Sequence, residues 1–484
     1  MLLSKSRDFE RAMSNASDYQ EWQAAAIAYD KATGMDRWRR KDPTRQYDYV
    51  SIRLRLDRLR SMRAKHDYHG LLFNLNEGIH GNMGGMGNAA LYHRARFGTK
   101  QLIEDYVEEI VDALELLGDP AMEEITLEEK LDFFRRAQHC FGQSALMMSG
   151  AGMLLYFHVG VVKALWEQNL LPDILSGSSG GAFVGCVLAT HTDDELEKIF
   201  DPEYLVHEIE EAKGIIGTLD KLRPKILEQD EIREVIERLV PDVTFQEAYE
   251  RTERRVNVSI APAETHQTSR LLNATTSPNV FIREAILASA AVPGVYPPVT
   301  LAARNKYGER QEYLPSRKWV DGSVSDDLPA KRLARLYGVN HFIVSQTNPH
   351  IIPFISDSRR KDDAISVVAA AATRTAREWV NAGATILRRP ISRRPTLQRM
   401  TDSMLSVINQ DYMGDINILP PYRVHRPTKL LAHLSEKEIL SLILMGERAT
   451  WPKLEMIRIQ TRISRALEDI QQQQEKKTNK KGKK

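Results

Sequence analysis

Residues 144–345 alternate short apolar runs with helical stretches, a pattern that predicts an α/β fold built on a mostly parallel sheet. Two further observations support that class. Strand-like runs at 144–148 and 173–175 each pass through small residues into a helix, the layout of a strand-turn-helix unit. The flanking stretches 1–140 and 346–470 carry helical periodicity instead, so helical regions are expected on both sides of the sheet in sequence. The expected division is a helical N-terminal domain (1–140), an α/β domain (141–345), a helical C-terminal region (346–470) and a basic tail (471–484) lacking fixed structure.

In the N-terminal part, Ser17 to Lys31 has a cap candidate, helix formers and a stop at Gly34. Residues 48–65 set Leu56, Leu59 and Met62 beside Arg53, Arg55, Arg58, Arg60, Arg63 and Lys65. The plain reading is a solvated, arginine-rich helix face; the sharper one is a surface for anionic lipid head groups. The glycine-rich stretch from Gly78 to Asn88 is not a phosphate loop. No strand precedes it, no Gly-Lys-Ser/Thr follows it and the G-x-G-x-x-G spacing fails. Thr99 to Leu117 reads as an amphipathic helix with Leu102, Tyr106, Ile110 and Leu114 on one face and Gly118 as its stop. Thr126 and Glu129 form a capping box for the next helix.

The α/β part opens with a strand at Ser144–Met148, a helix from Leu155 to Gln168 and a strand at Asp173–Leu175; later strands are expected at Val256–Ile260 and His341–Ser345. The second strand runs into Gly177-Ser178-Ser179-Gly180-Gly181, which fits G-x-S-x-G with Ser179 at the nucleophile position. Such a serine must stand on a strained strand-to-helix turn, and the surrounding glycines leave room for the backbone to bend. The following helix then aims its positive end at a developing oxyanion. The first strand ends in Ser149-Gly150-Ala151-Gly152, whose small residues expose successive N–H groups as an anion-binding nest. In a parallel sheet both turns emerge at one edge, where α/β proteins bind ligands.

A base for the serine is less evident. His191, His207 and His266 have no distinguishing context, and His158, inside the first helix, reads as a packing residue. Asp321 stands out, because Trp319-Val320-Asp321-Gly322 places a carboxylate at a strand end on a tight turn, although Asp-Gly alone is a common turn. After residue 346, Ser435 and Glu438 make a further capping box. Met456, Ile459, Ile463, Leu467 and Ile470 then recur at helical steps, to pack on the protein or a partner or to lie on a membrane. Six lysines fall in the last nine residues, either a solubility tail or a contact with an anionic leaflet.

Bulk composition sets limits. A net charge of +2 gives no push toward nucleic acid, so no nucleic-acid partner is expected. Two cysteines, Cys140 and Cys186, provide no disulfide framework and no metal-ligand spacing, which suits a reducing compartment; no metal or cofactor is expected. Neither a signal peptide nor a run of about 18 apolar residues occurs. The expected setting is cytoplasmic, with any lipid met peripherally at a membrane or lipid-droplet surface.

The ordered set Gly150-Ala151-Gly152, Gly177 to Gly181 and Asp321-Gly322 resembles the patatin-like phospholipases, whose pattern is a glycine-rich turn, a G-x-S-x-G elbow and then Asp-Gly-Gly or Asp-Gly-Ala. Val159 to Leu165 and Ala288 to Pro298 extend the likeness over residues 144–345. Residues 15–140, with Tyr19 to Trp22, Trp38-Arg39-Arg40 and the Gly78–Asn88 loop, resemble the helical domain that precedes the patatin domain in yeast-type triacylglycerol lipases and their bacterial relatives. The resemblance implies a three-layer core and a Ser-Asp dyad without a histidine. Ser179 would attack an acyl carbonyl, Asp321 would take its proton, and the amides of Gly150, Ala151 and Gly152 would form the oxyanion hole. Gly177, Gly180 and Gly181 would shape the elbow and Gly322 the acid motif. The implied activity is hydrolysis of long-chain acyl esters, triacylglycerol first and phospholipid or lysophospholipid second. The alternatives are a lysolipid acyltransferase working through the same acyl-enzyme, or a non-catalytic module that binds a lipid surface. Four departures bear on the choice: Ala151 replaces a glycine, Leu154 an arginine or lysine, Leu155 a glycine, and Ser323 the final glycine or alanine of the acid motif.

Overall fold

The computed structural model describes residues 2–79, 81–201, 228–264, 268–324, 326–347, 414–421 and 434–481, together with 203, 204 and 207. The expected loop residue at 80, His266 and most of the region 346–433 lie outside the described residues. Two compact units are present. One comprises Met1–Ser144, Ala334–His341 and Trp451–Lys484, and the other Ala145–Leu333 and Phe342–Thr450.

The first unit is helical, and local sequence signals set its boundaries. The helix Tyr19–Thr33 starts at Asp18, whose side chain accepts the Glu21 N–H, and stops at Gly34 in the left-handed conformation (φ 79°). The helices Tyr49–Ala64 and Gln101–Gly118 follow the expected stretches, and Thr126 with Glu129 forms the capping box of the helix Leu127–Phe141. Instead of facing solvent unpaired, much of the arginine-rich side of Tyr49–Ala64 is engaged within the unit. Arg53 pairs with Asp42, Arg60 and Arg63 both pair with the nearly buried Glu109, and Arg63 also reaches Asp112. These internal pairs occupy Arg53, Arg60 and Arg63, so the face is more engaged than a merely solvated one. The apolar stripe of the C-terminal helix is also internal: Met456, Ile459, Ile463, Leu467 and Ile470 are buried, and Ile470 lies against Gly118. That helix runs from Glu436 to Lys481. It continues past residue 470, where the tail was expected to lose structure, because glutamine, glutamate and lysine are themselves good helix formers.

The second unit holds the sheet. Nine strands are present among the described residues: β1 Gln143–Met148, β2 Ile174–Gly177, β3 Arg255–Pro262, β4 Arg270–Leu272, β5 Leu301–Arg304, β6 Arg310–Tyr313, β7 Trp319–Asp321, β8 Val339–Ser345 and β9 Ile416–Ile418. The main sheet runs β4-β3-β2-β1-β8-β9, with β7 also on β3, while β5 and β6 form a separate hairpin. Pairs β1–β2, β2–β3 and β8–β9 are parallel; β4 and β7 are antiparallel to β3. β2 is buried throughout, as parallel strands covered on both faces require. The helix Gly180–Thr190 packs on β2 and β3, and the helix Ile282–Ala290 on β3 and β7. Strand β9, from the region expected to be helical, joins the sheet edge and carries the α/β body past residue 345.

Candidate active site

Register brings the chemistry-bearing residues to one edge. Met148, the last residue of β1, pairs with Gly177, the last residue of β2, and Gly177 pairs with Val258 on β3. Antiparallel β7 then sets Asp321 opposite Ile260, two positions beyond Val258 on the same strand. A carboxylate 142 positions downstream of Ser179 is thereby delivered to the mouth of the β2 turn. Both the Ser149–Gly152 turn and the Ser178–Gly181 turn leave the sheet at this edge.

Ser179 has φ 51° and ψ −123°, a conformation rare for a residue with a side chain. Such a position costs about 1–3 kcal/mol and persists only when its surroundings impose it. The surroundings here are explicit. A Cβ on Gly181 would lie 2.5 Å from the Met148 carbonyl oxygen and 2.7 Å from that of Ser149, so the helix start presses directly on the end of β1. Gly180 touches the other turn: a Cβ there would meet Gly152 O and Leu155 Cβ at 3.0 Å and Ala151 Cβ at 3.1 Å. The Ser179 N–H donates to Ser289 Oγ at 2.9 Å, and Ser289 Oγ donates to Ser259 O at 2.8 Å.

The Ser179 side chain lies near enough to the Asp321 carboxyl to lower its pKa. Asp321 is buried, and burial raises its pKa from 3.8 to about 6 against hydrogen bonds from the Ser323 backbone, the Ser323 hydroxyl and Ser179, which all lower it. The Ser323 N–H reaches Asp321 Oδ1 at 2.8 Å. Ser323, a departure from the family pattern, thus supplies a further donor to the carboxylate. Gly322 lies close on β3, since a Cβ there would fall 2.4 Å from Ser259 O. A second carboxyl sits alongside. Asp327 is fully buried and pushed up to about 7, by burial first and also by the charges of Asp321 and Asp326.

Gly150, expected as an oxyanion donor, has its N–H directed elsewhere: it donates to Asp327 Oδ1 at 2.8 Å. A buried carboxyl is a strong acceptor for a backbone N–H. The expected donor set therefore contracts to Ala151 and Gly152, whose N–H groups meet no acceptor among the described residues. Gly152 takes φ 51° at the start of the short turn leading into the helix Leu155–Trp166. His158 is a packing residue. Its Nε2 donates to Ser149 O at 3.1 Å, its Nδ1 accepts from Ser345 Oγ at 2.6 Å, and burial lowers its pKa to about 4, so it stays neutral. His191 bonds the Val187 carbonyl of its own helix.

The sequence matches the patatin-like phospholipase family over residues 146–334 and a domain of unknown function (DUF3336) over residues 2–139. Triacylglycerol lipase ptl3 of Schizosaccharomyces pombe is 31% identical over 464 residues, covering 92% of this chain and 93% of that protein. The chain belongs to the patatin-like phospholipase family. Triacylglycerol lipase SDP1L of Arabidopsis thaliana is 32% identical over 96% of this chain. Triacylglycerol lipase 4 of Saccharomyces cerevisiae is 32% identical over 92% of it. This patatin-like chain spans only 58% and 50% of those two relatives.

Within the patatin-like unit, three residues at the site went unseen in the sequence. Ser178 and Asp327 bond each other, and Ser289 holds the Ser179 amide. Ser289 lies inside the Ala288–Ala291 run that matches the family, but nothing in that run marks its hydroxyl. Asp327 falls in Asp326-Asp327-Leu328-Pro329, which has the look of an ordinary polar turn.

Proposed function

We propose that this chain is a serine hydrolase of lipid acyl esters that works through Ser179 and Asp321. The observation that supports the reading is a serine held at positive φ beside a fully buried carboxyl whose pKa that serine lowers. Ser179 Oγ attacks the acyl carbonyl carbon while its proton passes to Asp321. The resulting oxyanion accepts from the Ala151 and Gly152 N–H groups. Collapse expels the alcohol, which takes the proton back from Asp321, and leaves an acyl-enzyme. Water then attacks the ester carbonyl, gives its proton to Asp321, and the fatty acid departs as Ser179 is reprotonated. A free aspartate, with pKa ~3.9, is a weak base for a hydroxyl. Burial that moves Asp321 to about 6 narrows that mismatch.

Triacylglycerol is the proposed first substrate, supported by the names of relatives similar along nearly the whole chain, with phospholipid second. Such esters reside in droplets and bilayers, so the enzyme would act at a lipid surface. No helix among the described residues is long and apolar enough to cross a membrane. Fatty-acid release from emulsified triacylglycerol and phospholipid, wild type against Ser179→Ala, tests the reading. Loss of at least about 1,000-fold in the variant is expected, and equal release by both proteins would refute the assignment.

A further inference from the structure

Asp327 has no step in the chemistry above, yet it is buried against it. Its Oδ1 accepts both the Gly150 N–H, at 2.8 Å, and the Ser178 hydroxyl. A single loop carries both carboxyls. Asp321 ends β7, the short turn Gly322–Val324 follows, and the Asp326 N–H closes onto Gly322 O at 2.9 Å. Asp321 thereby lies beside Ser179 while Asp327 holds its neighbour Ser178. The packing is as close as the bonding, since a Cβ on Gly150 would lie 3.0 Å from Ser323 Cβ and 3.7 Å from Asp327 Oδ1.

The other side of Gly150 is fixed as well. Its carbonyl oxygen accepts from Ser149 Oγ and from Thr347 Oγ1, each at 3.2 Å. The Ser149 N–H donates to Ser345 O at 3.0 Å, and the Thr347 N–H to Ser149 Oγ at 2.9 Å. With both peptide groups of Gly150 bonded, the orientation of that residue decides where the next two N–H groups point.

We propose that Asp327 is a positioning residue: it pins the glycine turn at Gly150 to the serine elbow at Ser178 and so aims the Ala151 and Gly152 N–H groups at the developing oxyanion. The inference rests on the Ser179–Asp321 hydrolase reading. The useful property of Asp327 is its oxygen acceptor, not its charge, because a negative charge beside a developing oxyanion would oppose it. An amide oxygen can accept the same two bonds, so asparagine should substitute for the carboxyl. Removing the side chain instead leaves the Gly150 N–H buried without its acceptor and lets the turn re-aim.

The test measures kcat and KM for fatty-acid release by the full chain from a fixed triacylglycerol emulsion. The variants are Asp327→Ala, Asp327→Asn, Ser178→Ala and the Ser178→Ala/Asp327→Ala double, with Ser179→Ala as the blank. Loss of one oxyanion donor costs about 100-fold or more in rate, so Asp327→Ala is expected to lose about 100-fold in kcat with KM within about threefold. Asp327→Asn recovers all but about fivefold of that loss, and Ser178→Ala falls between them. The double variant is no worse than Asp327→Ala, as expected for residues acting through one contact. A folded Asp327→Ala with kcat within about threefold of wild type overturns the inference, as does an Asp327→Asn as impaired as Asp327→Ala. Should Asp327→Ala fail to fold, Ser178→Ala decides, and an unchanged kcat there overturns it. Wild-type release no greater than that of Ser179→Ala removes the hydrolase reading, and this inference with it; the other adverse outcomes remove the inference alone.

Discussion

At the residue scale, the site depends on how a buried carboxylate is tuned. Burial raises Asp321 to about 6, and three donor groups, two of them from Ser323, hold it from rising further. A base must be ionised to work, so kcat/KM should climb with pH along a limb near 6 and level off above it. Ser323→Ala keeps the backbone donor but removes the hydroxyl, which stabilises the charged form. The limb should therefore move to higher pH, by about half a unit, in a pH–rate profile. A limb that stays put or moves down would mean that another group sets it. The sign for stability is opposite in sense: the native state keeps the Asp321 proton to higher pH than the unfolded chain. Its contribution falls as pH rises from about 4 to about 6 and is then level. Ser179 and Asp321 were legible as candidates because each residue sits in a short motif with its own turn chemistry. The bond from Gly150 to Asp327 was not, for it joins positions 177 apart with no local pattern at either end.

At the element scale, the long helices were legible from caps and periodicity, as with the stop at Gly34 after Tyr19–Thr33 or the box at Thr126. Two of the short strands were not. β4 and β9 have three residues each and are defined by their neighbours in the sheet rather than by alternation of their own. A close helix contact was equally hidden. Gly160 in the helix Leu155–Trp166 and Gly446 in the C-terminal helix let the two backbones approach: a Cβ on Gly160 would lie 1.9 Å from Ile443 O, and one on Gly446 2.1 Å from Phe157 O. An ion pair between Lys163 and Glu447 spans the same contact. Gly446→Ala should destabilise the α/β unit by about 2 kcal/mol or more through overpacking, read as a lower midpoint in denaturant. A midpoint within error of wild type would show that the helices can separate at no cost.

At the scale of the whole molecule, near-neutral net charge conceals two kinds of basic residue. Arg60 and Arg63 satisfy the nearly buried Glu109, whereas six lysines gather at the chain end. Arg60→Gln with Arg63→Gln should therefore lower the stability of the helical unit and leave binding to anionic vesicles within about twofold of wild type. Deleting residues 476–484 should weaken that binding at low salt, since each lysine near an anionic leaflet contributes about 1 kcal/mol. Vesicle sedimentation separates the cases, and the reverse ranking would place the lipid-facing charge on the arginines. The mostly parallel sheet and its helical flanks were legible from the change of period along the chain. The grouping of Trp451–Lys484 with the N-terminal helices was not, because a helix gives no sign in its own sequence of which body it will bury its stripe against.

The serine–carboxylate chemistry is tested most directly by trapping the acyl-enzyme. Acid quench during turnover of a slow acyl ester, followed by mass spectrometry of the peptide around Gly177–Gly181, should place one acyl group on Ser179 in the wild type and none there in Asp321→Asn at the same time. An acyl group on another residue, or undiminished hydrolysis with no adduct on Ser179, would contradict a Ser179 nucleophile served by Asp321.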